Sequence, residues 1–230
     1  MIKLENYEVV GWEHAIRGMR NPMNSWEKSD SKRFEDYDVN TLEYKSLLDI
    51  GPNDAELMMK LRNAGTDHRK FMRMIAVYVD ITAPLYWWKE MDTYQVGVTK
   101  NSCSTMHKIH EKEFTLDDFS CEKLEPFARE TMEIVVKRLE YYRNQYNNAR
   151  NGDPESWYNK HDMKACFDNM IQLLPSSYNQ KRTVMMNYEV LSNIYCSRKN
   201  HKLDEWRELC KWIEGLPYSE LITGKMEEVN

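Results

Sequence analysis

The sequence predicts an α+β fold with a small mixed sheet and a helix-rich C-terminal half. Three observations carry this. Residues 2–10 alternate well enough for an opening strand, and residues 72–82 (MRMIAVYVDIT) are dense in β-branched and aromatic side chains, as a buried strand is. From Ser120 onward, apolar residues recur at helical spacing with few breaks. The 230 residues contain no internal repeat, low-complexity tract or Gly/Ser linker, so 1–230 reads as a single domain.

The elements follow in order. A short helix is expected over Trp12–Met19, then a polar loop from Asn21 to Asn40, long enough to suggest a functional role or mobility. Asn53 or Asp54 can cap a helix over Ala55–Asn63 that Gly65 ends. After the 72–82 strand, Pro84 opens a helix over Leu85–Met91, and Val96–Ser102 reads as extended. Ser120 can cap the longest helix, whose Phe127, Met132, Val135, Leu139 and Tyr142 share one face. Asn151-Gly152-Asp153-Pro154 breaks it, and Asp153 or Pro154 opens a helix ending near Leu173-Leu174-Pro175. Two more helices are expected, Lys181–Ser197 and Leu203–Glu214.

Composition narrows the function. Mean hydropathy is −0.77 and no apolar run approaches a membrane span; the N-terminus has no secretory pattern, so a cytoplasmic protein is expected. The net charge of −5, with both signs interspersed, disfavours polymeric nucleic acid as a partner. Five dispersed cysteines without a CxxC pair, and histidines without HxxxH or HExxH spacing, give no metal site and no disulfide scaffold. Seven Trp, fourteen Tyr and fifteen Met point to a large core or an oligomer interface.

Two segments can carry chemistry. Asp92–His107 gathers Thr99, Asn101, Ser102, Ser104 and Thr105 behind a strand and an aromatic helix. Such short donors beside backbone amides suit a phosphate or carboxylate, though a plain Ser/Thr-rich turn has the same composition. Cys103 lies inside this segment. In Leu174–Arg182, Lys181 and Arg182 fall at an expected helix start, where an anion would offset their mismatch with the helix dipole. A pair of solvated surface charges is the alternative.

In this order, the segments resemble the flavin-dependent thymidylate synthases (ThyX), whose signature RHRxxSxNExSxR follows a buried strand and a helix. With Asn101 on the signature's Asn, Thr99 and Ser104 fall on its two Ser, Ser102 on its Glu and Met106 on its final Arg; the RHR triplet falls on Tyr94-Gln95-Val96, or on Thr93-Tyr94-Gln95 with a one-residue slip. Upstream, Gly65–Met72 resembles the family's GHxSxxEH segment and retains His68. Downstream, Leu174-Pro175, Lys181, Asn187 with Glu189, and Arg198 keep the family's register.

The resemblance implies a ThyX-like single domain and a homotetramer that binds FAD and a pyrimidine nucleotide, dUMP. Methylenetetrahydrofolate would be the carbon donor and NADPH the hydride source if the family reaction is retained. By position, Ser102, Ser104, Thr105, Lys181 and Arg198 would bind the nucleotide, and His68, Tyr94, Gln95, Asn101 and Asn187 the flavin. No catalytic residue is assigned. The departures fall mainly on the arginines: Tyr94-Gln95-Val96 cannot supply the triplet's two guanidiniums, Met106 removes another, and Glu189 replaces an Arg by the opposite charge. At about 1.5–3 kcal/mol per lost charged contact, ordinary FAD and dUMP affinities would drop by orders of magnitude. The sequence therefore supports a divergent enzyme that methylates or hydroxymethylates a pyrimidine, with a non-catalytic nucleotide- or phosphate-binding protein on the same scaffold as the alternative.

Overall fold

The computed structural model describes residues 2–38, 43–152 and 162–224. The elements are β1 (Lys3–Val10), α1 (Trp12–Arg20), β2 (Lys32–Asp38), β3 (Glu43–Asp49), α2 (Pro52–Asn63), β4 (Ala76–Pro84), α3 (Leu85–Met91), β5 (Thr99–Ser102) and α4 (Thr105–Lys108). They continue with α5 (Pro126–Asn151), α6 (Met163–Leu173), β6 (Asn179–Asn187), α7 (Tyr188–Arg198), α8 (Asp204–Glu214) and α9 (Glu220–Thr223). This is the expected α+β class.

One sheet has the strand order β1-β4-β6-β5, and β2 pairs with β3 in a second. The sheets are small and antiparallel, where mixed pairing is expected from sequence. Two hydrogen bonds show it for β4 and β6: Leu85 N donates to Tyr178 O, and Tyr188 N donates to Ile75 O. Some ninety residues separate those strands, so connection length places no constraint on direction.

Several expectations change. Part of the Asn21–Asn40 loop is β2, which pairs from Lys32↔Asp49 to Asp38↔Glu43. Its sequence, KRFEDYD, is so charged that no apolar alternation marks it. The 72–82 strand begins only at Ala76, after a 3-10 turn over Arg69–Met74. Ser120 does not cap α5, whose N-cap is Glu125; Ser120 instead donates to Ser177 O and to Asn179 Oδ1. The largest change is at Lys181–Ser197, which is strand up to Asn187 and helix only from Tyr188. Lys181 and Arg182 are therefore mid-strand, and the helix-dipole argument for an anion there no longer applies. The helix start at Asp153 or Pro154 lies outside the described residues.

The backbone packs as two compact units, each assembled from several segments. In the first (residues 1–5, 80–94 and 100–183), α5 buries Met132, Val136 and Leu139, which pack with Phe114, Phe119 and Met170, and also Ala149. Burying each of the Met, Val, Leu and Phe side chains contributes about 1.5–3 kcal/mol. Phe127, expected on that face, is 75 % exposed. Arg182 stacks 4.1 Å from the Trp88 ring and donates 2.8 Å to Asp92, which also receives Lys100 Nζ at 3.2 Å.

In the second unit (residues 6–79, 95–99 and 184–230), Trp12 meets Tyr188 and Tyr218 edge-on, each at 5.2 Å. A buried ion pair ties α1 to α2. Arg20 Nε donates to Asp54 at 2.6 Å, and the other Asp54 oxygen accepts from the Ser29 and Ser31 hydroxyls, both at 2.7 Å. Burial by itself raises the Asp54 pKa, but the hydrogen bonds from Ser31, Ser29 and Arg20 outweigh it and hold the carboxyl below its usual range. The cap of α2 also comes from outside the helix. Asp30 accepts from Asn53 N and Asp54 N, the two residues expected to cap it themselves. No described helix is long and apolar enough to cross a membrane.

Candidate functional site

Each unit carries one cleft relevant to the sequence reading. In the first unit, the end of β5 is tied to β6 by Cys103 N donating to Lys181 O at 3.0 Å and by Gln180 Nε2 donating to Cys103 O at 2.9 Å. This brings the hydroxyl-rich segment beside the Leu174–Arg182 segment. Between them opens a cleft of about 420 Å³, lined among others by Cys103, Ser104, Thr105, Asn179, Gln180 and Lys181. Lys3, Lys108, Lys112 and Lys181 line it with three carboxylates, Glu5, Asp117 and Asp118, and Lys108, Lys112 and Lys181 are paired with Glu111, Asp118 and Asp80.

The donors in this cleft are well defined. Ser104 Oγ accepts from His107 N at 3.1 Å, so its hydroxyl proton stays available. Asn179 Oδ1 is taken by Ser120 Oγ at 2.8 Å, which leaves the amide N–H groups as donors. Burial, then Asp118 and Cys103, raise the Tyr178 pKa, so this phenol stays protonated. Lys181 Nζ lies 3.1 Å from Asp80 Oδ2 and 3.7 Å from Glu5 Oε2. The hydrogen bond to Asp80 heads the causes that raise its pKa, and the ammonium stays charged.

In the second unit, a larger cleft of about 800 Å³ has apolar walls of Met19, Met23, Leu61, Phe71 and Met74, with His68, Lys70 and Arg73 as its basic groups. Both Arg73 nitrogens Nε and Nη2 donate to the Glu189 carboxylate, and Arg69 Nε lies 3.7 Å from it. The acid at position 189 is thus matched by two local guanidiniums.

Of the residues singled out from sequence, Ser104, Thr105 and Lys181 line the first cleft and His68 lines the second. Asn101 and Ser102 are exposed on β5 and line neither. Tyr94 follows α3, its carbonyl accepting from Lys100 Nζ at 3.0 Å. Gln95 is exposed in the next turn, and the same turn holds Gly97 at φ +73°, so close to Asn187 that a Cβ would meet the amide nitrogen at 2.8 Å. Asn187 is buried and caps α7, accepting from Val190 N at 3.0 Å. Arg198 lies in the second unit, 4.6 Å over the Trp206 ring.

Sequence reasoning missed Lys3, Lys108 and Lys112, and it gave no role to Tyr178 within the Leu174–Arg182 segment. Lys108, four residues after Ser104 at the end of α4, carries a helical-spacing signal; Lys112, beyond that helix, and Lys3 carry none.

The fold is that of the flavin-dependent thymidylate synthases. Two solved structures of Helicobacter pylori ThyX, both complexed with FAD and dUMP, are similar to this chain over nearly its full length. One has a TM-score of 0.62 at 17 % identity, covering 97 % of each chain. The other has a TM-score of 0.62 at 16 % identity, covering 98 % of this chain and 99 % of its own. No family model matches the sequence, and no curated protein does. The architecture is shared at low sequence identity.

Proposed function

We propose that the chain is a divergent thymidylate-synthase-type protein that binds a pyrimidine nucleotide such as dUMP in the lysine–hydroxyl cleft. The observation that carries this reading is the convergence of two segments about 75 residues apart, both matched to nucleotide-binding stretches of the family, in one cleft of the first unit. Lys181 and the Ser104 and Thr105 hydroxyls bind the phosphate, with charge-assisted bonds to Lys181 contributing most. Asp80 holds the Lys181 ammonium in position. Asn179 and Tyr178 offer donors to the base, and Gln180, bonded to Cys103 O, keeps β6 and the hydroxyl segment in register.

FAD is the proposed cofactor. The second cleft fits a flat ring: its methionine and phenylalanine walls are apolar and polarizable, and His68 and Lys70 supply donors beside them, while Arg73 is held by Glu189. When bound, FAD supplies the redox step through which the family methylates or hydroxymethylates its pyrimidine. NADPH and methylenetetrahydrofolate enter only with that reaction. The chain assembles as a homo-oligomer, a tetramer on the family's pattern.

A second reading, nucleotide binding without flavin chemistry, is favoured by one observation: the cations adjoining the Tyr94 turn, Lys100 and Arg182, are both engaged by Asp92. The visible absorbance spectrum of the purified protein separates the two. A flavin spectrum, or its appearance on adding FAD, is expected for the enzyme. A protein that stays colourless with excess FAD but is stabilised by dUMP leaves only the second reading.

A further inference from the structure

Helix α5 is 26 residues long, and its inward face builds the first unit's core. Its other face is unusual. Phe127, Ile134 and Tyr141 are 75 %, 53 % and 43 % exposed, at intervals of seven residues. Seven residues are nearly two turns, so the three side chains form one oblique stripe about 21 Å long. Single exposed apolar residues are ordinary, but three in register on one helix are not. Glu130 and Lys137 flank the stripe on one side and Thr131 and Arg138 on the other; among the described residues Glu130, Lys137 and Arg138 have no ion-pair partner.

We propose that this stripe is the contact between two copies of the chain, with two α5 helices packed antiparallel about a two-fold axis at Ile134. The proposal rests on the self-association proposed above and assigns the face that carries it. The flanking charges select the partner and its direction. With antiparallel helices, Ile134 meets the partner's Ile134, and Phe127 falls opposite the partner's Tyr141. Glu130 then comes beside the partner's Lys137, and by symmetry Lys137 comes beside the partner's Glu130. Parallel helices would instead set Lys137 beside the partner's Arg138, a like-charge contact. The surface is thus complementary to its own copy in one orientation.

Sedimentation or light scattering of the full chain, with melting temperature as the folding control, tests this. Ile134→Glu is expected to lower the oligomeric state while leaving the melting curve of the monomer cooperative, because Ile134 supports no core. Glu130→Lys alone is expected to weaken association about tenfold or more, and Glu130→Lys combined with Lys137→Glu to restore it. An oligomer indifferent to all three variants overturns the assigned face but leaves self-association standing. A wild-type chain that is monomeric at high concentration overturns both. Nucleotide stabilisation, measured alongside, reports on the cleft independently of either result.

Discussion

The two clefts differ in chemistry and in how they are made. The first unit's cleft is polar, set by backbone bonds between β5 and β6, and its lysines and hydroxyls suit a phosphorylated ligand. The second unit's cleft has mostly apolar walls, which come from α1, the 3-10 turn after it (Asn21–Met23), α2 and the 3-10 turn before β4. Those walls depend on the buried Arg20–Asp54 pair. The lesson is that this chain keeps its charged side chains beside a sheet edge and its apolar space among helices braced by one ion pair.

The largest effect is expected from breaking that brace. Arg20→Ala leaves Asp54, which is fully buried, without its guanidinium and should cost about 3–5 kcal/mol in chemical unfolding. The same pair gives an acid dependence. The folded-state pKa of Asp54 is depressed, so its contribution is present above the ordinary value of 3.8 and is lost as pH falls through the lower folded value. Thermal melts of the wild type should therefore drop below about pH 4, and less steeply in Asp54→Asn, which starts from lower stability.

Next in size is the polar cleft. Lys181→Ala should weaken nucleotide binding about 10- to 100-fold, the worth of one charged hydrogen bond, without moving the melting temperature of the free protein by more than a degree or two. A change in stability as large as that of Arg20→Ala would mean that Lys181 is structural. In the apolar cleft, His68→Ala is expected to reduce FAD uptake several-fold and leave nucleotide binding unchanged, which calorimetry with each ligand would show.

The smallest effect is alkaline. Burial pushes the Cys210 thiol up to about 11 from 9.0, with Glu214 adding to the rise. Its contribution is intact below 9 and is lost as pH rises through about 11. Melts across that window should decline more gently in Cys210→Ala than in the wild type.

Much of the fold is legible in the sequence because the signals are local. The β1 alternation, Pro84 before α3 and Gly152 after α5 all mark their elements where the structure has them. What is not legible is set by distant partners. Residues 180–186, QKRTVMM, carry helix-favouring side chains, but pairing with β4 and burial of Val184 and Met186 make them a strand. The cap of α2 comes from Asp30, more than twenty residues away. The same applies to the site. Ser104, Thr105 and Lys181 stand out by residue type, whereas Lys3 and Tyr178 acquire a role only once the sheet brings β1 and β6 to the same cleft.

The central claim, that the lysine–hydroxyl cleft holds a pyrimidine nucleotide, is tested most directly by calorimetric titration of dUMP into the wild-type chain and into Lys181→Ala. The account predicts saturable binding to the wild type and at least tenfold weaker binding to the variant. Equal affinity for both, or no binding to a folded wild type, would contradict it.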